Sequence, residues 1–346
     1  VDTLTQAVLG AACGQVAVGH RLGRRALGWG AVGGIIPDLD TLVIPALGPL
    51  AEFQYHRGLT HALWFGPLVG PVLGHAAWRW HARRRRRAGK PPVSGPAPWI
   101  ALFVLALVTH PLLDLFTSYG TQLLWPFSRH RFAIDAVAIV DPFYTVPLAV
   151  TLLFGLTLPR HPRRARIAAA LGLAATTAFL LYGWRLNLRA EAEARRQLQA
   201  AGPRADVRAY PTLLQPWLRR VVARHDGQVS VGMLSLWRPH PIAWRSFRPG
   251  EGPGIDAVRA TPEGRLFQWF AMGQTAARLL PSPAGQTVEI EDLRYGYGDE
   301  PSEGLWGIRA QVDAQGRVRG PVERFNRRPA AFAPALARLW RAAFPS

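Results

Sequence analysis

His110 and Asp114 stand four residues apart in "ALFVLALVTHPLLDLFTSYG", Ala101 to Gly120, a stretch that is otherwise largely apolar. On a helix, positions i and i+4 share one face at about 6 Å, so the pair offers an imidazole and a carboxylate to a common point. An ionisable group in a lipid-soluble run costs a few kcal/mol and normally turns toward a protein interior or a cavity. Two other stretches carry the same residue types. "IIPDLDTL" holds Asp38 and Asp40 just after a proline, which puts both carboxylates on one side if the chain is extended there. "YHRGLTH" holds His56 and His61, about 140° apart on an ideal helix. They converge only if His56 lies in a loop ahead of the helix, with Gly58 allowing the bend.

Six nitrogen and oxygen ligands without a thiolate suit Zn²⁺, with Mn²⁺ or Fe²⁺ as alternatives, and their number suggests two ions sharing a carboxylate. Two such ions roughly 3.5–4 Å apart can activate water and stabilise a phosphoryl or acyl oxyanion. Cys13 is the only cysteine, which excludes an internal disulfide and a thiolate cluster. Each piece also has a plainer reading. Asp38 suits a helix cap or a proline-started turn, His56 and His61 suit headgroup-facing positions, and His110 with Asp114 suits a hydrogen-bonded tie. What favours a metal is the depth at which the surrounding elements should place all three pairs.

Those elements form two domains, a helical membrane domain over residues 1–187 and a small α+β domain over 188–346, in a mainly α chain of 346 residues. About six helical segments compete as spans, near Leu4–Gly19, Ala26–Leu47, Leu59–Trp80, Pro98–Ser118, Val137–Leu158 and Ile167–Leu186, against a requirement of about 20 apolar residues. The first two are glycine-rich, and the second contains the PDLD motif. Arg21, Arg24 and Arg25, the run Arg83–Arg87 with Lys90, and Arg160, Arg163, Arg164 and Arg166 fall in alternate loops. With basic loops cytoplasmic, the chain is a multi-pass inner-membrane protein whose C-terminal domain is extracytoplasmic. Asp114 then lies about one turn below the outer surface and His110 one turn deeper, with Asp38, Asp40, His56 and His61 near the outer ends of their segments. Asp2 occupies the place of a basic n-region, so no removable signal peptide is expected.

Beyond Asn187, "RAEAEARRQLQAAG" reads as a polar helix ended by Gly202 and Pro203. "WLRRVVARHDGQVSVGMLSLW" reads as a β-hairpin turning at Asp226-Gly227. "TVEIEDLRYGYG" and "LWGIRAQVDAQGRVRG" read as further strands, and "APALARLWRAAF" as a closing amphipathic helix. The net charge of +19 is nearly all arginine but comes without a nucleic-acid recognition motif. The basic loops need only anionic headgroups, and no nucleic-acid partner is expected. His75, His81, His130 and His161 show no convergence and read as loop or interface residues. Asp135 and Asp141 fall on the outer side, the latter as support or a helix start.

"DTLTQAVLGAACG", "PDLD", "HRGLTH", "THPLLDLFTSYGTQLLWPFS" and "DPFYTVPL", in that order, resemble the YdjM-type family of membrane-bound metal-dependent hydrolases over about the first 190 residues. "YPTLLQPWLRRVV" and "LWGIRAQVD" are similar to the extension in one branch of that family. The resemblance implies metal-dependent hydrolysis, with the motifs falling on Asp38, Asp40, His56, His61, His110 and Asp114. The HxxxD pair is also similar to one in zinc-dependent phospholipase C enzymes. Many relatives have His where this chain has Gln6, a poor metal ligand. The expected function is phosphoester hydrolysis on a membrane lipid or lipid-linked substrate, with Arg57 clamping a phosphate oxygen and Asp40 available as an acid. A scaffold with a structural metal, or a proton- or metal-coupled transporter, stand as alternatives.

Overall fold

A capped helix opens the chain. The Asp2 carboxylate accepts from the Thr5 amide at 3.0 Å and so satisfies one of the free first-turn donors of α1, Thr3–Leu22. Gly23, at φ 60°, ends it. The computed structural model describes residues 1–157, 162–199, 205–238, 240–282, 285–296, 304–327 and 332–344. Arg160, His161, the tail of the GYG run and the Gly202-Pro203 pair lie outside them. The helical half continues with α2 (Arg25–Ile35), α3 (Asp40–Val43), α4 (Ala51–Tyr55), α5 (Phe65–Arg87), α6 (Ala97–Asp114), α7 (Pro142–Thr157) and α8 (Pro162–Gln199). The second half contains β1 (Asp206–Pro211), β2 (Leu218–His225), β3 (Gln228–Ser235), β4 (Arg245–Phe247), α9 (Pro253–Ala260), α10 (Pro262–Phe270), β5 (Thr275–Ser282), β6 (Gly285–Asp292), β7 (Trp306–Val312), β8 (Val318–Asn326) and α11 (Phe332–Ala343).

Among the described residues, three stretches are long and apolar enough to cross a membrane: Arg25–Leu47, Ala97–Asp114 and Pro162–Leu198. Pro142–Thr157 is apolar but shorter. The polar helix expected after residue 187 is not separate, because α8 runs unbroken to Gln199. "RLNLRAEAEARRQLQ" holds strong helix formers and no breaker, and Arg195 pairs with Glu191 one turn back at 3.0 Å.

The chain divides into two compact units, one of Val1–Val43, Tyr55–Ile134 and Ile139–Tyr182, the other of Ile44–Gln54, Asp135–Ala138 and Gly183–Ser346. In the first, glycines let helices touch backbone to backbone. A Cβ on Gly30 would lie 2.3 Å from the Gly10 carbonyl oxygen, and one on Gly34 2.3 Å from that of Gln6. These contacts seat α1 against α2 in the small-residue manner of membrane helices. Gly66, Gly70 and Gly74 do the same for α5, meeting Val108, Val104 and Ile100 of α6. Arg24 donates to the Leu156 carbonyl at 2.8 Å and Arg166 to that of Val16 at 3.2 Å. The start of α2, the end of α7, the start of α8 and the last turns of α1 therefore share one end of the bundle. Trp29 stacks edge-on against Trp80 and Trp99 at this same end, at 5.6 and 5.9 Å.

The second unit holds two antiparallel four-stranded sheets, ordered β1-β2-β3-β4 and β5-β6-β7-β8. The β2–β3 hairpin turns at Asp226 and Gly227, both left-handed at φ 47° and 72°, as the DG pair requires. Val221 and Ala223 pack with Ala190 and Ala194 of α8, while Val222 packs on the other face with Ala276 and Leu293. Burial on both faces explains why β2 lacks polar alternation. Arg219 is nonetheless fully buried; its guanidinium donates to the carbonyls of Asp135, Ala136 and Gly183 at 3.1, 2.9 and 3.0 Å. Phe53 of α4 packs between Phe267 and Phe270 at 5.3 and 4.4 Å.

Two glycines of α2 should respond oppositely to alanine. Gly30→Ala drives a methyl into the Gly10 carbonyl and should cost about 2 kcal/mol or more. Gly28→Ala meets nothing within 4 Å and should stabilise by about 0.5–1 kcal/mol. Chemical denaturation in detergent distinguishes them, and equal effects would contradict the α1–α2 contact.

Candidate metal centre

Asp38, His61 and the α6 pair His110 and Asp114 come from three separate elements, yet each side chain offers a ligand atom within 4.8 Å of the others. Pro37 starts a tight helical turn over Ile36–Leu39 that runs into α3. The extended conformation considered for the PDLD motif does not occur, and successive alternate residues on a helix diverge by about 200°. Asp38 therefore faces His61 and His110, and Asp40 turns toward His56. Arg57 is the left-handed residue of the HRGLTH turn, at φ 60°, where the sequence suggested Gly58. It leaves His56 after α4 and His61 in a short turn, Leu59–His61, ahead of α5.

The distances fit one cation. His61 Nε2 lies 3.0 Å from His110 Nε2, 3.5 Å from Asp38 Oδ1 and 3.3 Å from Asp114 Oδ2. His110 Nε2 lies 3.3 Å from Asp38 Oδ1 and 3.7 Å from Asp114 Oδ2. Ligands at about 2.0–2.1 Å around a tetrahedral zinc are separated by about 3.3 Å, the middle of this range.

Hydrogen-bond partners fix the tautomers. His110 Nδ1 is 2.7 Å from the Gly34 carbonyl oxygen, an acceptor only, so Nδ1 carries the proton. Thr60 Oγ1 donates to Asp40 Oδ2 at 3.1 Å and so accepts from His61 Nδ1 at 3.0 Å. Both rings then turn Nε2 inward, beside two carboxylates. A cation satisfies all four donor atoms at once, and two nitrogen with two oxygen donors suit Zn²⁺. Carbonyl and threonine partners behind the rings are the usual outer support of metal-bound histidine.

Asp114 is the most heavily held ligand. Gln6 Nε2 donates to its Oδ1 at 3.1 Å and to the His110 carbonyl at 3.2 Å, and the Val1 nitrogen also contacts Oδ1. Arg57 Nε lies 3.1 Å from Oδ2. The Arg57 guanidinium donates to Thr117 Oγ1 at 2.8 Å and lies over the Tyr119 ring at 4.7 Å. Arg57 is thus buried and directed at Asp114. Asp40 and His56 do not join the four-residue group. They pair with each other, His56 Nδ1 to Asp40 Oδ1, at 3.0 Å. Exposure is confined to their side: the side chains of Asp38, Asp40 and His56 are 13, 11 and 14 % exposed, whereas His61 and His110 are fully covered. Thr60, Thr117 and Tyr119 sit inside quoted motifs but have no chemistry that singles them out. The Gly34 carbonyl has no sequence signal beyond the Gly30–Gly34 spacing.

Fold and site together define a helical membrane protein with an interhelical carboxylate–imidazole cluster suited to a metal ion. Residues 1–190 match the family described as YdjM inner membrane protein, and the chain belongs to that family. It is also similar to the uncharacterized protein YfhP of Bacillus subtilis (strain 168), 28% identical over 153 residues. That match covers 41% of this chain and 42% of the relative, so it spans less than half the relative's length. No solved structure matches the chain.

Alanine at His61, His110 or Asp114 should lower zinc affinity at least about a hundredfold, as measured by competition with a chromophoric chelator. Gln6→Leu should cost about ten- to a hundredfold through Asp114. His56→Ala should leave one ion bound; loss of that ion would place His56 among the ligands.

Proposed function

We propose that this protein is a membrane-embedded, metal-dependent hydrolase that cleaves a phosphoester of a lipid or lipid-linked substrate. The observation behind this reading is the cluster of two imidazoles and two carboxylates at the end of a membrane helix, beside the partly exposed side chains of Asp38, Asp40 and His56. Asp38, His61, His110 and Asp114 hold a divalent transition metal, zinc by donor type. When bound, that ion supplies Lewis-acid polarisation of a phosphoryl oxygen and a water-derived nucleophile at neutral pH. Gln6 and Arg57 fix the rotamer of Asp114, and Thr60 carries the orienting effect of Asp40 to His61. Arg57 acts through Asp114, because its guanidinium is committed there; clamping a substrate phosphate would require it to leave that partner. Asp38, 13 % exposed where the other three are covered, is the ligand beside which a substrate would approach.

The orientation rests on charge. The α1–α2 loop, the end of α5 and the start of α8 carry the arginines, and the metal ligands lie at the other ends of α2, α5 and α6. With the arginine end cytoplasmic, six segments cross or enter the inner membrane, and the site and C-terminal domain are extracytoplasmic. A second reading, a structural metal in a non-enzymatic scaffold, is favoured by the four protein donors, which by themselves complete a tetrahedron.

Vesicle-reconstituted protein should release a phosphorylated headgroup or diacylglycerol from labelled phospholipids. Chelation should abolish this, zinc should restore it, and His110→Ala should reduce it by more than about a hundredfold. Turnover by zinc-loaded protein no faster than by His110→Ala, with chelation lowering only the melting temperature, would establish the scaffold instead. A reporter after Asn187 should be active only outside the cytoplasm.

A further inference from the structure

The outer face of α5 changes character along its length. Leu68 and Val72 are exposed and apolar, Ala76 follows one turn later, then Trp80, and then arginines. The opposite face, Gly66, Gly70 and Gly74, is packed on α6, while Leu68 and Val72 are left open by the described residues. Ala76, Arg79, Trp80, Arg83, Arg84 and Arg87 line one groove of about 520 Å³. Counted from Ala76 they fall at i, i+3, i+4, i+7, i+8 and i+11, which keeps them on one face of the helix. Arg84 lies over the Trp80 ring at 5.0 Å, and Trp80 is held edge-on by Trp29 at 5.6 Å. Among the described residues, no carboxylate lies within ion-pair distance of Arg79, Arg83, Arg84 or Arg87.

Four cations spread over about 12 Å of helix repel one another without a counter-charge. Tryptophan marks the headgroup level in membrane helices, and Trp29, Trp80 and Trp99 meet in one layer here. Read from Leu68 to Arg87, the face presents hydrocarbon, then an interfacial ring, then guanidinium groups. That sequence complements a phospholipid from acyl chain to phosphate, and guanidinium groups bind phosphate oxygens in pairs. A soluble anion would need only the arginines, whereas the apolar approach is a lipid's. We infer that this groove on α5 is a binding site for an acidic phospholipid, separate from the metal cluster at the other end of the bundle. His110 lies eleven residues along α6 from Trp99, about 16 Å in helix rise. The inference rests on membrane embedding and not on hydrolase activity.

Native mass spectrometry of the full chain in mild detergent, with phosphatidylglycerol or phosphatidylcholine added, tests it. Wild type should retain phosphatidylglycerol about tenfold more tightly, and millimolar inorganic phosphate should not displace it. Two double variants remove equal charge: Arg83→Gln/Arg84→Gln on the stripe, and Arg85→Gln/Lys90→Gln off it. The stripe variant should lose about thirtyfold in retention and the control less than about threefold; diffuse attraction would weaken both alike, at about 1 kcal/mol per charge. Equal losses, equal retention of both lipids by wild type, or displacement by phosphate would each overturn the site. The wild-type comparison decides even if a variant fails to fold, and zinc content reports folding of the variants independently.

Discussion

Two imidazole nitrogens and two carboxylate oxygens converge on one point inside a helical unit. That is the constraint on which the rest of the unit depends. Hydrogen bonds to Gly34 and Thr60 commit the distal ring nitrogens as donors, so the proximal nitrogens are the ones turned toward the carboxylates and free to ligate. Removing two carboxylates from water costs several kcal/mol each unless opposite charge accompanies them. Arg57 offsets one of those charges through Asp114. A divalent ion would supply the remainder and bond all four donors, which is what makes the cluster a candidate metal site.

Holding that arrangement requires helix axes closer than ordinary side chains allow. The Gly34 carbonyl reaches His110 because α2 lies against α1 without intervening side chains, through Gly10, Gly30 and Gly34. Gln6 comes from the same contact, and one residue then buttresses both the His110 backbone and the Asp114 carboxylate. Glycine in these helices is therefore positional. It sacrifices intrinsic helix propensity for a backbone approach that places a carbonyl and an amide behind two ligands.

Much of the local structure was legible because it follows from short-range physics. The His110–Asp114 pair met on one face because both sit in a single continuous helix. The Asp226-Gly227 hairpin, the strands around it and the closing helix followed from turn chemistry and periodicity. The reading was weaker wherever a neighbour set the backbone. Pro37 could begin a turn or permit an extended strand. The observed tight turn parted Asp38 from Asp40 and sent one to the four-residue group, the other to His56. In the HRGLTH turn a permissive glycine drew attention, yet Arg57 adopts the left-handed conformation, held by its bonds to Asp114 and Thr117. The buried Arg219 was also illegible, since its acceptors are carbonyls brought together by the fold.

By itself, the sequence determined that this is a helical membrane chain with an antiparallel β-rich second half, and which polar residues are too costly to leave in lipid. Those properties depend on composition, periodicity and spacings of a few residues, all local. Only the tertiary structure decided how those polar residues divide, into a four-donor cluster and a separate Asp40–His56 pair, and that Arg57 and Gln6 serve Asp114. The physical reason is that a ligand set is defined to within a few tenths of an ångström by the approach of distant helices, and no local spacing encodes that approach.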